Sequence, residues 1–219
     1  MAMPTLDASR DRVLWIVIAV SLLACAALVA LTPAEAMLGQ YLKLVLFHGA
    51  STWVNLVTFT AAGALAVAFL VNGRPGTYAY AASARYVSFA LWIFNTALGM
   101  LSARLTWGDS FIREPRLQAS FWILLLLGVA MALDIMMDKP RLHSAFDIGI
   151  MVAVWAFVFV TPRDIHPNSP VMASGWDIKL LFAGMVLTWG IAVFTFTRIW
   201  AERLAADGAG VPGMPDEVD

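Results

Sequence analysis

Residues 44–71 contain no Asp, Glu, Lys or Arg, and this run of 28 residues constrains the fold more than any other feature of the chain. A helix of that length at the surface of a soluble protein needs a polar face. One without charge is solvated by lipid or by other helices, and about 20 apolar residues already suffice to cross a bilayer. Further apolar runs cover 13–31, 86–101, 119–137, 146–161 and 180–197, the fourth interrupted only by Asp134. The fifth begins with Asp147 beside Phe146 and has only 14 uncharged residues, so a short or partly re-entrant segment is expected there. Asn72-Gly73-Arg74-Pro75-Gly76 predicts a turn after the second run, and Asp138-Lys139-Pro140-Arg141 stops the fourth. With 61% of side chains hydrophobic and 13% charged, the chain has too much apolar surface for one soluble core. The expected fold is an all-α polytopic membrane bundle of about six transmembrane helices. It forms one domain over 1–204, followed by a disordered acidic tail over 205–219.

Arg10 and Arg12 precede the first run, and Ala34-Glu35-Ala36 after it has the form of a signal cleavage site. The uncharged stretch 13–31 is too long for a signal core and predicts an uncleaved first helix. Fourteen basic and fifteen acidic side chains give a net charge of −1, which offers no electrostatic footprint for nucleic acid. The single cysteine, Cys25, excludes an intrachain disulfide, a CxxC pair and a cysteine zinc site, and reads as a small buried hydrophobe. Six spans put both termini on one side. Arg10, Arg12, Arg74, Arg85, Lys139, Arg141, Arg198 and Arg203 fall on that side, eight basic residues against six elsewhere, so cytoplasmic termini are expected.

The polar residues inside the runs are patterned. His48, Thr52 and Asn55 share one helical face, and Ser88, Asn95 and Ser102 repeat every seven residues, as expected of stripes that pack against neighbouring helices. Asp134 and Asp147 lie near the inner boundary, where they form either a proton site or interfacial hydrogen bonds. Of three histidines, His48 and His166 fall at the outer boundary and His143 at the other. Two imidazoles at one boundary have the donor chemistry for a six-coordinate haem iron. A packing role for His48 and a solvated loop position for His166 stay equally open.

An outer loop near 102–118 combines aromatic and basic residues: Arg104-Leu105-Thr106-Trp107-Gly108-Asp109-Ser110-Phe111-Ile112-Arg113-Glu114-Pro115-Arg116-Leu117. Its rings can stack on a porphyrin, and Arg104, Arg113 and Arg116 can pair with propionates. An aromatic belt at headgroup level uses the same residue types. No G-x-S-x-G, H-E-x-x-H or phosphate-binding loop is present, so no hydrolytic constellation competes.

This loop resembles the tryptophan-rich signature of the cytochrome c assembly family, whose haem-handling members carry a pattern close to Trp-Gly-x-Trp-Trp-x-Trp-Asp-(Ala/Pro)-Arg-Leu-Thr. Trp107-Gly108 fits its start, Phe111 an aromatic position, Glu114 the acidic one, and Pro115-Arg116-Leu117 the end, without a gap. Ser110 and Arg113 stand where tryptophans are expected, which reduces the aromatic platform to Trp107 and Phe111. In the family one histidine precedes the motif in a context like Phe47-His48-Gly49-Ala50-Ser51-Thr52-Trp53, and another follows it in an outer loop, where His166 stands. Six spans with internal termini are also similar to the family's shorter haem-handling members.

The resemblance, covering about 41–191, implies a protein of a prokaryotic inner or plasma membrane that binds haem b transiently at the outer face. His48 and His166 would be the axial ligands of the haem iron. Trp107, Gly108, Phe111, Arg113, Glu114, Pro115 and Arg116 would line the site. Its implied partners are a haem chaperone or apocytochrome c, an ATP-driven exporter complex and membrane lipid, and its task is delivery rather than turnover. The alternatives are a membrane-anchor cytochrome b subunit for quinone-linked electron transfer, which has no evident need for the Trp-Gly loop, and a small transporter or structural subunit without cofactor.

Overall fold

The computed structural model describes residues 8–36, 38–108, 114–137, 139–162, 171 and 174–206. Among them are six helices: α1 (Ala8–Leu31), α2 (Leu42–Asn72), α3 (Pro75–Trp107), α4 (Pro115–Met136), α5 (Pro140–Val160) and α6 (Trp176–Ala206). All six are long and apolar enough to cross a membrane, and the fold is the expected all-α bundle. At 1.5 Å per residue, α3 with its 33 residues is about 50 Å long, well beyond a hydrocarbon core of about 30 Å, so it tilts or overhangs.

The α2–α3 hairpin is the centre, with α1 and α6 packed on one side and α4 and α5 on the other. Lipid is as apolar as a leucine side chain, so close backbone approach and interhelical hydrogen bonds hold such helices together rather than hydrophobicity. Small residues accordingly fill the interior of the hairpin: Ala50, Ala62 and Ala66 on α2, and Ala79, Ala81 and Ala84 on α3, are all buried. Leu56, Phe59, Trp92, Ile123, Leu127, Ile150 and Val154 join α2 and α3 to α4 and α5. Cys25, Leu42, Leu46 and Met185 join α1, α2 and α6, and Cys25 is the buried hydrophobe its position suggested. Trp155 Nε1 donates to Thr60 Oγ1 at 3.0 Å, Trp92 Nε1 to the Ser120 carbonyl at 3.1 Å and Ser83 Oγ to the Thr197 carbonyl at 2.7 Å.

Contacts of α1 with the end of α6, through Arg10 with Glu202 and Arg203 with Asp11, define a terminal end of the bundle. The α2–α3 turn lies there too, since Phe69 and Tyr78 pack with Leu204. The opposite end carries the starts of α2, α4 and α6 and the end of α3; we call it the loop end.

Two helices begin earlier than the hydropathy pattern indicates. α3 starts at Pro75 rather than near 86 because Arg85 is accommodated inside the bundle, its side chain only 2% exposed and paired with carboxylates. α5 starts at Pro140 and is a full 21-residue helix, not a short or re-entrant one, because Asp147 is the partner of Arg85. The eight-to-six charge asymmetry shrinks to seven against six, since Arg85 does not lie in a boundary loop. The expected loop near 102–118 is also shorter: Arg104 through Trp107 continue α3, and Pro115, Arg116 and Leu117 open α4. The tail from 207 onward lies outside the described residues.

Candidate functional site

His48 leaves α2 about one and a half turns from its start and lies half-buried against α3. Gly99 makes that approach feasible: a Cβ there would sit 2.9 Å from His48 Cε1 and 3.3 Å from Nε2, so the ring would have to shift. One turn later on α2 and one turn earlier on α3, Asn95 Nδ2 donates to Thr52 Oγ1 at 3.0 Å, and Thr52 Oγ1 donates to the His48 carbonyl at 2.9 Å. The Thr52–Asn95 bond fixes the rotation of α2 against α3 and therefore the direction of the imidazole. Both polar stripes face inward, with Asn55, Ser88, Asn95 and Ser102 buried.

Beside His48 an aromatic group spans three helices. Phe47 of α2 meets Phe94 of α3 edge-on at 6.3 Å and Trp189 of α6 at 5.6 Å, and Phe94 meets Trp189 at 6.2 Å. Such edge-to-face arrangements follow the quadrupoles of the rings and tie α2, α3 and α6 together at this level of the bundle. The buried indole nitrogen of Trp189 has no hydrogen-bond partner among the described residues. Phe47, Phe94, Gly99 and Trp189 were not among the residues expected at this site. Their legible signal is position: Phe47 adjoins His48, and Gly99 lies one turn from Asn95.

Two turns beyond Gly99, α3 ends at Trp107, which is 38% exposed. Gly108 follows with φ +81°, a left-handed conformation that a side chain would strain, and its N–H closes on the Arg104 carbonyl at 3.0 Å. Glu114 is buried and caps α4: its carboxylate accepts the Leu117 N–H at 2.9 Å. Pro115 takes the first helical position, where its missing N–H costs nothing. The acidic and proline positions of the motif thus have a local structural task, and Arg116 follows them on the first turn of α4. His166, Phe111 and Arg113 lie outside the described residues, as does the rest of 109–113 and 163–170.

No family model matches the chain, and neither does any curated protein. Among the described residues no three His, Cys, Asp or Glu side chains converge as ligands of a metal ion. A haem iron asks for less, one or two axial donors with apolar surroundings. His48 over its glycine cradle, on the same helix turn as Phe47, offers an imidazole of that kind.

At the terminal end, 37 residues along from His48, a second constellation is built around Arg85. Its Nη1 donates to Asp147 Oδ1 at 3.2 Å and Oδ2 at 3.0 Å, and Nη2 donates to Asp134 Oδ1 at 3.0 Å. Tyr86 donates to the other oxygen of Asp134, and the guanidinium lies 5.4 Å from the centre of the Tyr86 ring. His143 Nδ1 is 2.6 Å from Asp134 Oδ1 and 2.9 Å from the Tyr78 hydroxyl. The planar fork of arginine suits one guanidinium serving two carboxylates, an arrangement a lysine ammonium cannot reproduce. A cavity with room for about one water molecule borders Arg85 and Asp147, walled by Phe59, Ala62, Leu127 and Ile150. Asp134 and Asp147 are therefore not interfacial side chains bonded to neighbouring loops. Arg85, His143, Tyr78 and Tyr86 join them, although only the carboxylates stood out in the sequence. An arginine ten residues into a span is itself a signal of function or pairing.

Proposed function

We propose that this chain handles haem in cytochrome c biogenesis: it receives haem b at the loop end and releases it to a haem chaperone or apocytochrome c. The observation that carries the reading is His48, held by Gly99 and the Thr52–Asn95 bond beside the Phe47, Phe94 and Trp189 rings. The gap-free register from Trp107-Gly108 to Leu117 supports it, because that segment closes the same end of α3.

In this reading His48 and His166 would hold the haem, each offering an imidazole nitrogen to its iron. Trp107 and Phe111 offer rings for stacking, and Arg113 and Arg116 offer guanidinium groups for propionates. Gly108 ends α3 so that the segment can turn across the site. Glu114 and Pro115 act indirectly, by fixing the start of α4 and with it the direction of Arg116. The Trp189 indole N–H is a donor that a ligand carboxylate or carbonyl can accept from. The chain would lie in a prokaryotic inner or plasma membrane with cytoplasmic termini, so that the loop end faces outward, and an ATP-driven exporter complex would be a further partner.

The test is optical. The chain purified from haem-replete cells is expected to show a Soret band that weakens on His48→Ala or His166→Ala. Trp107→Ala is expected to impair transfer to an acceptor more than membrane insertion. A double His48→Ala/His166→Ala chain that retains its full haem content rules out both axial assignments.

A further inference from the structure

The Arg85 cluster is self-contained, but its charges do not cancel. Arg85 contributes one positive charge and Asp134 and Asp147 two negative ones, all with side chains at most 8% exposed. A net charge buried inside a membrane bundle is costly, so one further proton would be strongly favoured. Among the described residues, each packed element brings named groups to this point. α3 brings Tyr78, Arg85 and Tyr86, α4 brings Asp134, and α5 brings His143 and Asp147. α2 brings Phe59 and Ala62 at the cavity and Phe69 against Tyr78, and α6 brings Leu204.

The geometry identifies where that proton resides. At 2.6 Å, His143 Nδ1 and Asp134 Oδ1 share a hydrogen, and because Asp134 already accepts from Arg85 and Tyr86 it is the ionised acceptor, which assigns the hydrogen to Nδ1. A neutral imidazole then carries its only proton on Nδ1 and leaves Nε2 bare. His143 is 4% exposed, and its Nε2 has no partner among the described residues. Protonation there makes an imidazolium and brings the cluster to two positive and two negative charges. His143 also lies close to the terminal end, three residues after Pro140 opens α5, with Lys139 and Arg141 exposed beside it.

We propose that His143 Nε2 is the entry of a one-proton site, which exchanges with water at the terminal end and is charge-balanced by Arg85, Asp134 and Asp147. The step is simple protonation: an N–H bond forms at Nε2 as the O–H bond of a hydronium ion or buffer acid breaks. Because the cluster ties α3, α4 and α5 together, the proton also sets how firmly these helices are clamped. The site is independent of haem and lies at the other end of the bundle.

The experiment uses the full chain in nanodiscs with 15N-labelled histidine. His48→Ala/His166→Ala leaves His143 as the sole histidine, since the chain has three, and leaves the cluster untouched. The expected spectrum shows an Nδ1–H imidazole that gives way to an imidazolium as acid is added. Adding Asp134→Asn removes one negative charge and with it the need for the proton, so the imidazolium is expected to be lost under the conditions where the first chain carries it. An imidazole that keeps one protonation state throughout in the Asp134-containing chain overturns the proposal. So does a titration that is the same in both chains, or a neutral form protonated on Nε2 rather than Nδ1. If Asp134→Asn does not fold, the first chain alone decides through the tautomer and the presence of the transition.

Discussion

At the terminal end of the bundle, Arg85, Asp134, Asp147, His143, Tyr78 and Tyr86 bond to one another across three helices. At the loop end, His48 lies over Gly99, the adjoining Phe47 packs with Phe94 and Trp189, and the Trp189 indole has no protein acceptor among the described residues. Both ends place a histidine inside the membrane bundle, His143 in a cluster of bonded charges and His48 over a glycine. The first belongs to a clamp and is read out as stability. In the proposed reading the second belongs to a haem site and is read out as ligand binding.

That contrast makes ordered predictions. The largest effect is expected for Arg85→Ala, which leaves Asp134 and Asp147 buried without their cation. Removing one partner of a buried ion pair costs about 3–5 kcal/mol, and denaturant unfolding in detergent would measure it. Arg85→Lys should recover only part of that, because an ammonium cannot bridge both carboxylates in the same geometry. A chain that tolerates Arg85→Ala without loss would dissolve the distinction between the two ends.

Gly99→Val tests the loop end. It drives the His48 ring from its cradle, with an overpacking cost of about 1–3 kcal/mol and a larger relative fall in haem content. Preserved haem content beside a clear stability loss would argue that the cradle is packing alone. Glu114→Ala should cost about 0.5–2 kcal/mol through the lost cap, and Glu114→Asp, which can still accept the Leu117 N–H, should restore most of it. Smallest is Thr52→Val, which removes one interhelical bond of about 0.6 kcal/mol by the average for membrane proteins. Its measurable consequence should be a shift in the haem absorption rather than in unfolding.

The number and nature of the helices were legible because hydropathy is summed over about 20 residues and survives one polar exception. The starts of α3 and α5 were not. Arg85 and Asp147 each read as the edge of an apolar run, yet each is the reason the other can be buried. A rule that scores charges singly cannot anticipate a pair 62 positions apart. His48 stood out because its run holds no charge at all, whereas His143, beside Lys139 and Arg141, looked like a boundary residue. Glu114 and Pro115 were read through the family motif, although an acidic residue before proline is also an ordinary helix start. His166, Phe111 and Arg113 fall outside the described residues, so their part in the site rests on the motif and its spacing.

The most direct test compares the two histidines that the structure describes. His48→Ala and His143→Ala chains are purified in parallel from haem-replete cells, and the haem-to-protein ratio is read from the Soret absorbance. The account predicts that His48→Ala loses most of its haem while keeping its unfolding midpoint, and that folded His143→Ala keeps its haem while losing stability. Haem loss confined to His143→Ala, or a colourless unsubstituted protein, would contradict it.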